Sequence, residues 1–263
     1  MGDLDDARGI LFPDALPRFH RREVPAGSAH LARWYWIAQW NLPDGLVSTQ
    51  SLLPFPASNL VVGPGGITLS GPTTAASGRD LTGRGWAFGV LLRAAGSAAL
   101  GSAPAEIVDE EVDFPDPALA TGVAELMAAG DSGSAARVMS AWLAGIDARR
   151  GEPIPEGAVL ADRMIGIVES DPAIVGVGQL AREMGMSTRA LQRLAKQYVG
   201  LSPLRIIRRY RLQEAALRLR EDPGLTVARV AAELGYADQS HLAADFRSTL
   251  GLSARDYRRQ RQP

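Results

Sequence analysis

The sequence predicts an α+β chain of two domains: a β-rich domain over residues 1–150 and an all-helical domain over 158–263, joined by a linker at 151–157. Three observations predict it. A helix–turn–helix pattern occurs twice in the last third of the chain. Tryptophans alternate along an early apolar run that is bounded by Gly/Pro turns. Charge is also segregated: 16 Lys and Arg stand against 8 Asp and Glu from Gly176 to Pro263, but 12 against 21 before it, within a net charge of −1. A basic excess confined to one end marks a surface for a polyanion, and here that means nucleic acid.

In the N-terminal part, Arg33-Trp34-Tyr35-Trp36-Ile37-Ala38-Gln39-Trp40 reads as a strand, with Trp34, Trp36 and Trp40 on one face at period two. Asn59–Val62, Ile67–Leu69 and Trp86–Leu92 are further short apolar runs. Pro43-Asp44-Gly45, Gly63-Pro64-Gly65-Gly66 and Thr82-Gly83-Arg84-Gly85 separate them as turns. Many short strands with such turns predict a sandwich or barrel. Beyond Asp116-Pro117 the pattern turns helical, and Val138, Trp142 and Ile146 predict an amphipathic helix over 134–150. Gly151-Glu152-Pro153-Ile154-Pro155-Glu156-Gly157 reads as the linker.

The doubled pattern is Leu180-Ala181-Arg182-Glu183-Met184-Gly185-Met186-Ser187, then Val230-Ala231-Ala232-Glu233-Leu234-Gly235-Tyr236-Ala237. In each copy a small Ala lets two helices approach, and a Gly takes the positive φ of a tight turn. Ser187 and Asp238 are the expected N-caps of the second helices. In the first unit Leu191, Leu194 and Tyr198 face inward and Arg189, Gln192, Arg193 and Lys196 face outward. In the second, Leu242 and Phe246 face inward, leaving Gln239, Ser240, His241, Ala243 and Arg247. Both units end alike, at Gly200-Leu201-Ser202-Pro203 and Gly251-Leu252-Ser253-Ala254. Pro203 suits the first position of a helix, where a missing N–H costs nothing. Pro203 to Arg220 then reads as one helix, roughly 27 Å long at about 1.5 Å per residue. That length suits two helices entering major grooves about 34 Å apart. Arg205, Arg208, Arg209, Arg211, Arg218 and Arg220 give this helix a basic surface, to be divided between phosphates and internal or solvated positions.

These residues resemble the DNA-binding domain of the AraC/XylS family of transcription regulators. The resemblance is carried by Ala181-x3-Gly185, Leu191-Gln192-Arg193-Leu194, Gly200-x-Ser202-Pro203, Arg211-Leu212-x2-Ala215, Gly235-Tyr236-Ala237-Asp238-Gln239-Ser240-His241-Leu242, Phe246-Arg247 and Gly251-x-Ser253-x3-Tyr257-Arg258. It spans residues 160–260. It implies that Arg189, Gln192 and Arg193 in one recognition helix, and Gln239, Ser240 and His241 in the other, contact a double-stranded operator; Lys196 and Arg247 join them as outward cations. Three departures stand out: Ala244 where the family often has arginine, with Asp245 beside it adding a repulsive charge; Ala195 for a common phenylalanine; and Ala254 for proline. The first unit is therefore expected to supply more binding energy than the second.

The segments Leu53–Val62, Gly83–Val90 and Ile107–Asp109 resemble an uncharacterised N-terminal domain of some such regulators, which implies a cupin-like β-barrel. Family members commonly use this domain to bind a small effector or to dimerise. Trp34, Trp36, Trp86 and Phe88 are the candidate effector-binding residues, weighed against ordinary core packing. RNA polymerase is an expected partner if the protein activates transcription.

Enzymatic readings are weak. No Cys is present, which removes thiolate metal sites and cysteine nucleophiles, and His20, His30 and His241 are too few for a His-rich centre. Gly130-Asp131-Ser132-Gly133 resembles a serine-protease nucleophile turn but lacks a base in recognisable context. Gly176-Val177-Gly178-Gln179-Leu180-Ala181 matches a nucleotide-binding fingerprint, yet Lys196 stands where the ribose-binding acid belongs. No cofactor or metal is expected. A protein-interaction module that has lost DNA binding is the remaining alternative. No apolar run approaches about 18 residues, and the acidic start Met1-Gly2-Asp3-Leu4-Asp5-Asp6 is unlike a signal peptide, so a cytoplasmic protein without a membrane span is expected.

Overall fold

The computed structural model describes residues 3–4, 8, 18–222, 224–251 and 253–259. Most of the acidic start, and Leu252, lie outside the described residues, as does the side chain of Arg258. The N-terminal region is β-rich and the C-terminal region helical, as the sequence predicts. Its strands are β1 (Asp3–Leu4), β2 (Arg18–Glu23), β3 (Ala32–Asn41), β4 (Val47–Leu52), β5 (Asn59–Gly63), β6 (Gly66–Ser70), β7 (Ser77–Thr82), β8 (Arg84–Leu92) and β9 (Glu111–Asp113). A seven-stranded antiparallel sheet runs β1-β2-β3-β8-β5-β6-β9, and β4 pairs with β7 in a second sheet. Among the described residues no pairing joins β1 to β9, so the hydrogen bonding does not close a barrel.

Ten α-helices follow or intervene among the described residues: α1 (Ala94–Ala99), α2 (Pro117–Ala128), α3 (Ser132–Arg149), α4 (Glu156–Ser170), α5 (Val177–Glu183), α6 (Thr188–Val199), α7 (Pro203–Glu221), α8 (Val227–Glu233), α9 (Gln239–Leu250) and α10 (Ala254–Arg259). The helix predicted over 134–150 is α3, starting two residues earlier because Asp131 caps it, its carboxylate accepting from the Ser134 N–H at 2.9 Å. The last two residues of the predicted linker, Glu156 and Gly157, already belong to α4.

The two faces of the large sheet have different partners. Register places Tyr35 opposite Val90 and Ile37 opposite Phe88, so these four share a face. They are buried with Leu60 and Val62 against Val123 of α2 and Met139 of α3. Trp34 and Trp36 point to the other face, at period two. There Trp34 and Leu91 join Phe55, Met164, Leu180, Leu191, Ile207 and Tyr210 in a second core that belongs to both regions. A third core takes Leu53 from the N-terminal region into a shell of Leu212, Val230, Leu234, Leu242 and Phe246. The sequence explains this reach. Pro54 and Pro56 cannot donate ladder hydrogen bonds, so β4 stops at Leu52. The freed segment presents Leu53 and Phe55 to the helices.

Polar bonds reinforce the junction. Arg209 on α7 donates to the carbonyls of Pro54 (3.1 Å) and Thr73 (3.0 Å), and Gln213, one turn on, donates to Leu53 O at 2.9 Å. Arg33 donates to the Tyr210 hydroxyl at 3.0 Å. Asp162 of α4 accepts from Ala94 N (2.8 Å) and Ala95 N (3.0 Å), capping α1 where Arg93 offers no side-chain cap. Burial holds the Asp162 carboxyl above its ordinary value, with those two N–H groups opposing the shift.

Trp36 and Trp40 lie across glycines of the neighbouring strand. A Cβ at Gly89 would stand 1.9 Å from Trp36 Cε2, and one at Gly85 2.3 Å from Trp40 Cζ2. Gly89→Ala is therefore expected to cost about 1–3 kcal/mol by forcing the indole off its rotamer. A thermal unfolding midpoint equal to wild type would show that the indole moves aside freely.

Candidate nucleic-acid interface

The two helix–turn–helix units are built by the same local bonds. In the first, Gly185 takes φ +66°, its N–H donates to Arg182 O at 3.0 Å, and Met186 N donates to Ala181 O at 2.9 Å. In the second, Gly235 takes φ +68°, its N–H donates to Ala232 O at 3.1 Å, and Tyr236 N donates to Ala231 O at 2.8 Å. A side chain at either glycine would strain the left-handed backbone. The predicted caps are formed: Ser187 Oγ accepts from Ala190 N at 3.2 Å, and Asp238 Oδ1 from His241 N at 2.9 Å. The His241 N–H holds the Asp238 carboxyl below its ordinary value. Thr226 caps α8, accepting from Arg229 N at 3.2 Å. Thr before an apolar-periodic run is the ordinary start signal of a helix, and Thr226 supplies it here.

The predicted outward side chains are exposed, except Ala243, which is half-buried. Arg189, Gln192, Arg193 and Lys196 lie on the open face of α6, while Leu191, Leu194 and Ala195 are buried beneath it. Gln239, Ser240, His241 and Arg247 are exposed on α9 above the buried Leu242 and Phe246. His241 Nδ1 lies 3.6 Å from Asp238 Oδ1 at the helix start. Among the described residues no three His, Asp or Glu side chains group as metal ligands.

Matching the helices cap to cap, Ser187 to Asp238, sets Arg193 against Ala244 and Gln192 against Ala243. Lys196 falls against Arg247. Ala195 falls against Phe246, so the larger core residue of the second unit fills the place that Ala occupies in the first. Asp245 falls on the register of the buried Leu194 and is half-buried. Its charge therefore lines a cleft against α7 together with Arg205, Arg208 and Arg209. This corrects the expectation of a repulsive charge on the outward face: a residue one helical step past Ala244 points to the side.

The long helix α7 spans Pro203–Glu221, capped by Ser202, whose Oγ accepts from Arg205 N at 3.4 Å. Its arginines divide by position. Arg209 and Arg220 are buried. Arg211 donates to Leu234 O at 2.8 Å with its guanidinium 3.8 Å from the Tyr236 ring centre, and burial pushes the Tyr236 hydroxyl well above the usual phenol range. Arg218 pairs with Glu214 and Glu233. Arg205 and Arg208 are exposed.

The candidate effector residues do not share one surface. Trp86 and Phe88 lie on the face of β8 that meets Gln39 and Ile37, with Phe88 fully buried in the first core. Trp34 and Trp36 occupy the opposite face. Two guanidiniums lie over the Trp34 ring, Arg21 at 4.7 Å and Arg33 at 4.6 Å from its centre, and the ring meets Phe55 edge-on at 4.9 Å. Trp36 donates to Asn59 Oδ1 at 3.1 Å. No helix of the described residues is long and apolar enough to cross a membrane.

Residues 180–260 match the family model of a helix-turn-helix domain, and residues 26–113 match a domain of unknown function, DUF6597. The chain is 37% identical over 82 residues to the HTH-type transcriptional activator RhaS of Escherichia fergusonii, covering 31% of this chain and 29% of that protein. It is 31% identical over 126 residues to a Streptomyces antibioticus protein described as an AraC-like transcription regulator, covering 48% of this chain and 38% of that one. The matches thus span less than two fifths of the length of these curated relatives. Among solved structures, an apo ToxT variant from Vibrio cholerae strain SCE256 is similar with 10% identity and a TM-score of 0.48 over 90% of this chain and 98% of that one. The C-terminal domain of AraT from Geobacillus stearothermophilus is similar with 24% identity and a TM-score of 0.37 over 40% of this chain and 87% of that one.

Proposed function

We propose that this chain, whose residues 180–260 are a helix-turn-helix domain of the AraC type, is a sequence-specific DNA-binding transcription regulator acting in the cytoplasm. The observation that carries the reading is the pair of exposed helices, α6 and α9, set by the same glycine turn and cap and linked by α7. Arg189, Gln192, Arg193 and Lys196 read or hold one stretch of major groove; Gln239, Ser240, His241 and Arg247 the next. An Arg fork suits guanine O6 and N7, and Gln suits adenine. The N-terminal sheets form an opened cupin-like barrel, which serves effector binding or dimerisation. No catalytic role belongs to this reading.

Sequencing DNA retained by the purified full-length chain identifies the operator. On that operator, affinity is expected to fall with salt at a log–log slope steeper than about −3, since each phosphate neutralised contributes roughly −0.9. Absence of binding at low salt would instead favour a helical protein-interaction module, the reading motivated by Ala244, at the place of Arg193, with Asp245 beside it.

A further inference from the structure

A polar cleft of about 230 Å³ opens where α7, α9 and the 73–74 loop meet. It is lined by Arg205, Arg208 and Arg209 from α7, Asp245, Ser248 and Thr249 from α9, and Thr73 and Thr74 from the N-terminal region. None of its residues belongs to the outward set assigned to DNA. Arg205, Arg208 and Arg209 stand at i, i+3 and i+4, so their guanidiniums leave α7 on one side.

Two buried groups of this cleft lack a matching partner, one an ion-pair partner and one a hydrogen-bond partner. Arg209 is 5% exposed, and its guanidinium donates to neutral carbonyls, those of Pro54 and Thr73. Burial pushes its guanidinium down to about 10, opposed by Asp109 and reinforced by Arg205. The Asp109 carboxylate is itself engaged by the Thr74 N–H at 2.6 Å and the Thr74 hydroxyl at 2.7 Å. Among the described residues no carboxylate lies within ion-pair distance of Arg205, Arg208 or Arg209. The Thr73 hydroxyl oxygen is buried without a hydrogen-bond partner among the described residues. A buried cation without an ion-pair partner and a buried hydroxyl without a hydrogen-bond partner are both costly. A compact anion satisfies both at once.

We propose that this cleft is a binding site for a small phosphate-type oxyanion, free or as the phosphate of a metabolite. Arginine forks bind such oxygens in bidentate fashion, and hydroxyls complete the shell. The chain's own anion in the cleft, Asp245, leaves the three arginines with an excess of two positive charges, which selects a dianion. The site joins α9 of the second reading unit to the N-terminal region, where the Ala76 N–H already donates to Thr249 O at 2.8 Å. Occupancy therefore favours the docked arrangement of the two regions over any arrangement that parts them.

The test is thermal unfolding of the full-length chain titrated with inorganic phosphate, against sodium chloride at matched ionic strength. Phosphate is expected to raise the midpoint saturably. Arg208→Gln, exposed and so tolerated by the fold, is expected to shift the half-saturating concentration upward at least tenfold, and Thr73→Val to shift it in the same direction. Arg163→Gln, an exposed arginine on α4, serves as the charge control and leaves the titration unchanged. A metabolite carrying a phosphate monoester that saturates at lower concentration than inorganic phosphate marks the esterified form as the ligand; equal concentrations mark the free ion. No saturable effect beyond chloride, or an equal effect in Arg208→Gln, overturns the proposal. Operator binding without phosphate is measured in parallel. If Arg208→Gln flattens the salt slope of DNA binding while phosphate has no effect, these arginines serve DNA phosphates: the anion site fails and the regulator reading stands. Loss of all DNA binding by the wild-type chain would sink the regulator reading without touching the phosphate titration.

Discussion

Arg193→Ala is expected to weaken operator binding by roughly 1–3 kcal/mol, five- to 150-fold, and to relax sequence preference at one base pair. Gln239→Ala is expected to cost less. Arg193 is exposed at the centre of the open face of α6, flanked by Gln192 and Lys196 within one turn. Its counterpart in the second unit is Ala244. A methyl group at that register neither forks to a guanine nor meets a phosphate. The second unit then depends on the first turn of α9, at Gln239, Ser240 and His241, and on Arg247. Titration of the selected operator with both variants measures the inequality. A larger loss from Gln239→Ala would reverse the ranking of the two units.

Leu53→Ala is expected to lower the stability of the full-length chain by about 2–5 kcal/mol, the range for truncating a fully buried leucine. The side chain is 0% exposed, yet its packing partners lie on α7, α8 and α9. Removing it opens a cavity at the core of the second helix–turn–helix from the N-terminal side. The main-chain bond from Gln213 to Leu53 O survives the substitution, so the loss reads packing and leaves that polar bond in place. Leu46→Ala, at an N-terminal leucine that is 50% exposed, provides the comparison and is expected to change stability by about 0.5 kcal/mol or less. Equal midpoints for Leu53→Ala and wild type in thermal or urea unfolding would refute the shared core.

The helical region was legible because its signals are local. Gly185 and Gly235, the caps Ser187, Asp238 and Ser202, and the alternation of Leu191 and Leu194 with Arg189 and Arg193 all act within a few residues of one another. The outward set emerged on the predicted side of α6 and α9 for the same reason. What failed to show in the sequence depends on distant partners. Asp245 looked like an addition to the outward face until α7 supplied the cleft that it enters. That the arginines of α7 divide was expected from the sequence, but which of them turn inward is decided by Pro54, Thr73, Leu234 and Glu233. The tryptophan alternation predicted one face of β3 correctly, since Trp34 and Trp36 do share it. Pairing with β8 then put Trp86 and Phe88 on the other face, a consequence of register that a single strand does not carry.

The Pro-flanked segment around Leu53 and Phe55 has a consequence for anyone who would rebuild the molecule. Cutting the chain at residues 151–157 severs a covalent tie but leaves two apolar plugs seated, so a nicked protein should migrate as one particle. Transplanting residues 158–263 onto a foreign sensor leaves two empty sockets, one lined by Met164, Leu180 and Tyr210, the other by Leu212 and Phe246. A working chimera has to carry Leu53-Pro54-Phe55-Pro56 along with the helices, because the helical half is completed by a piece of the other half.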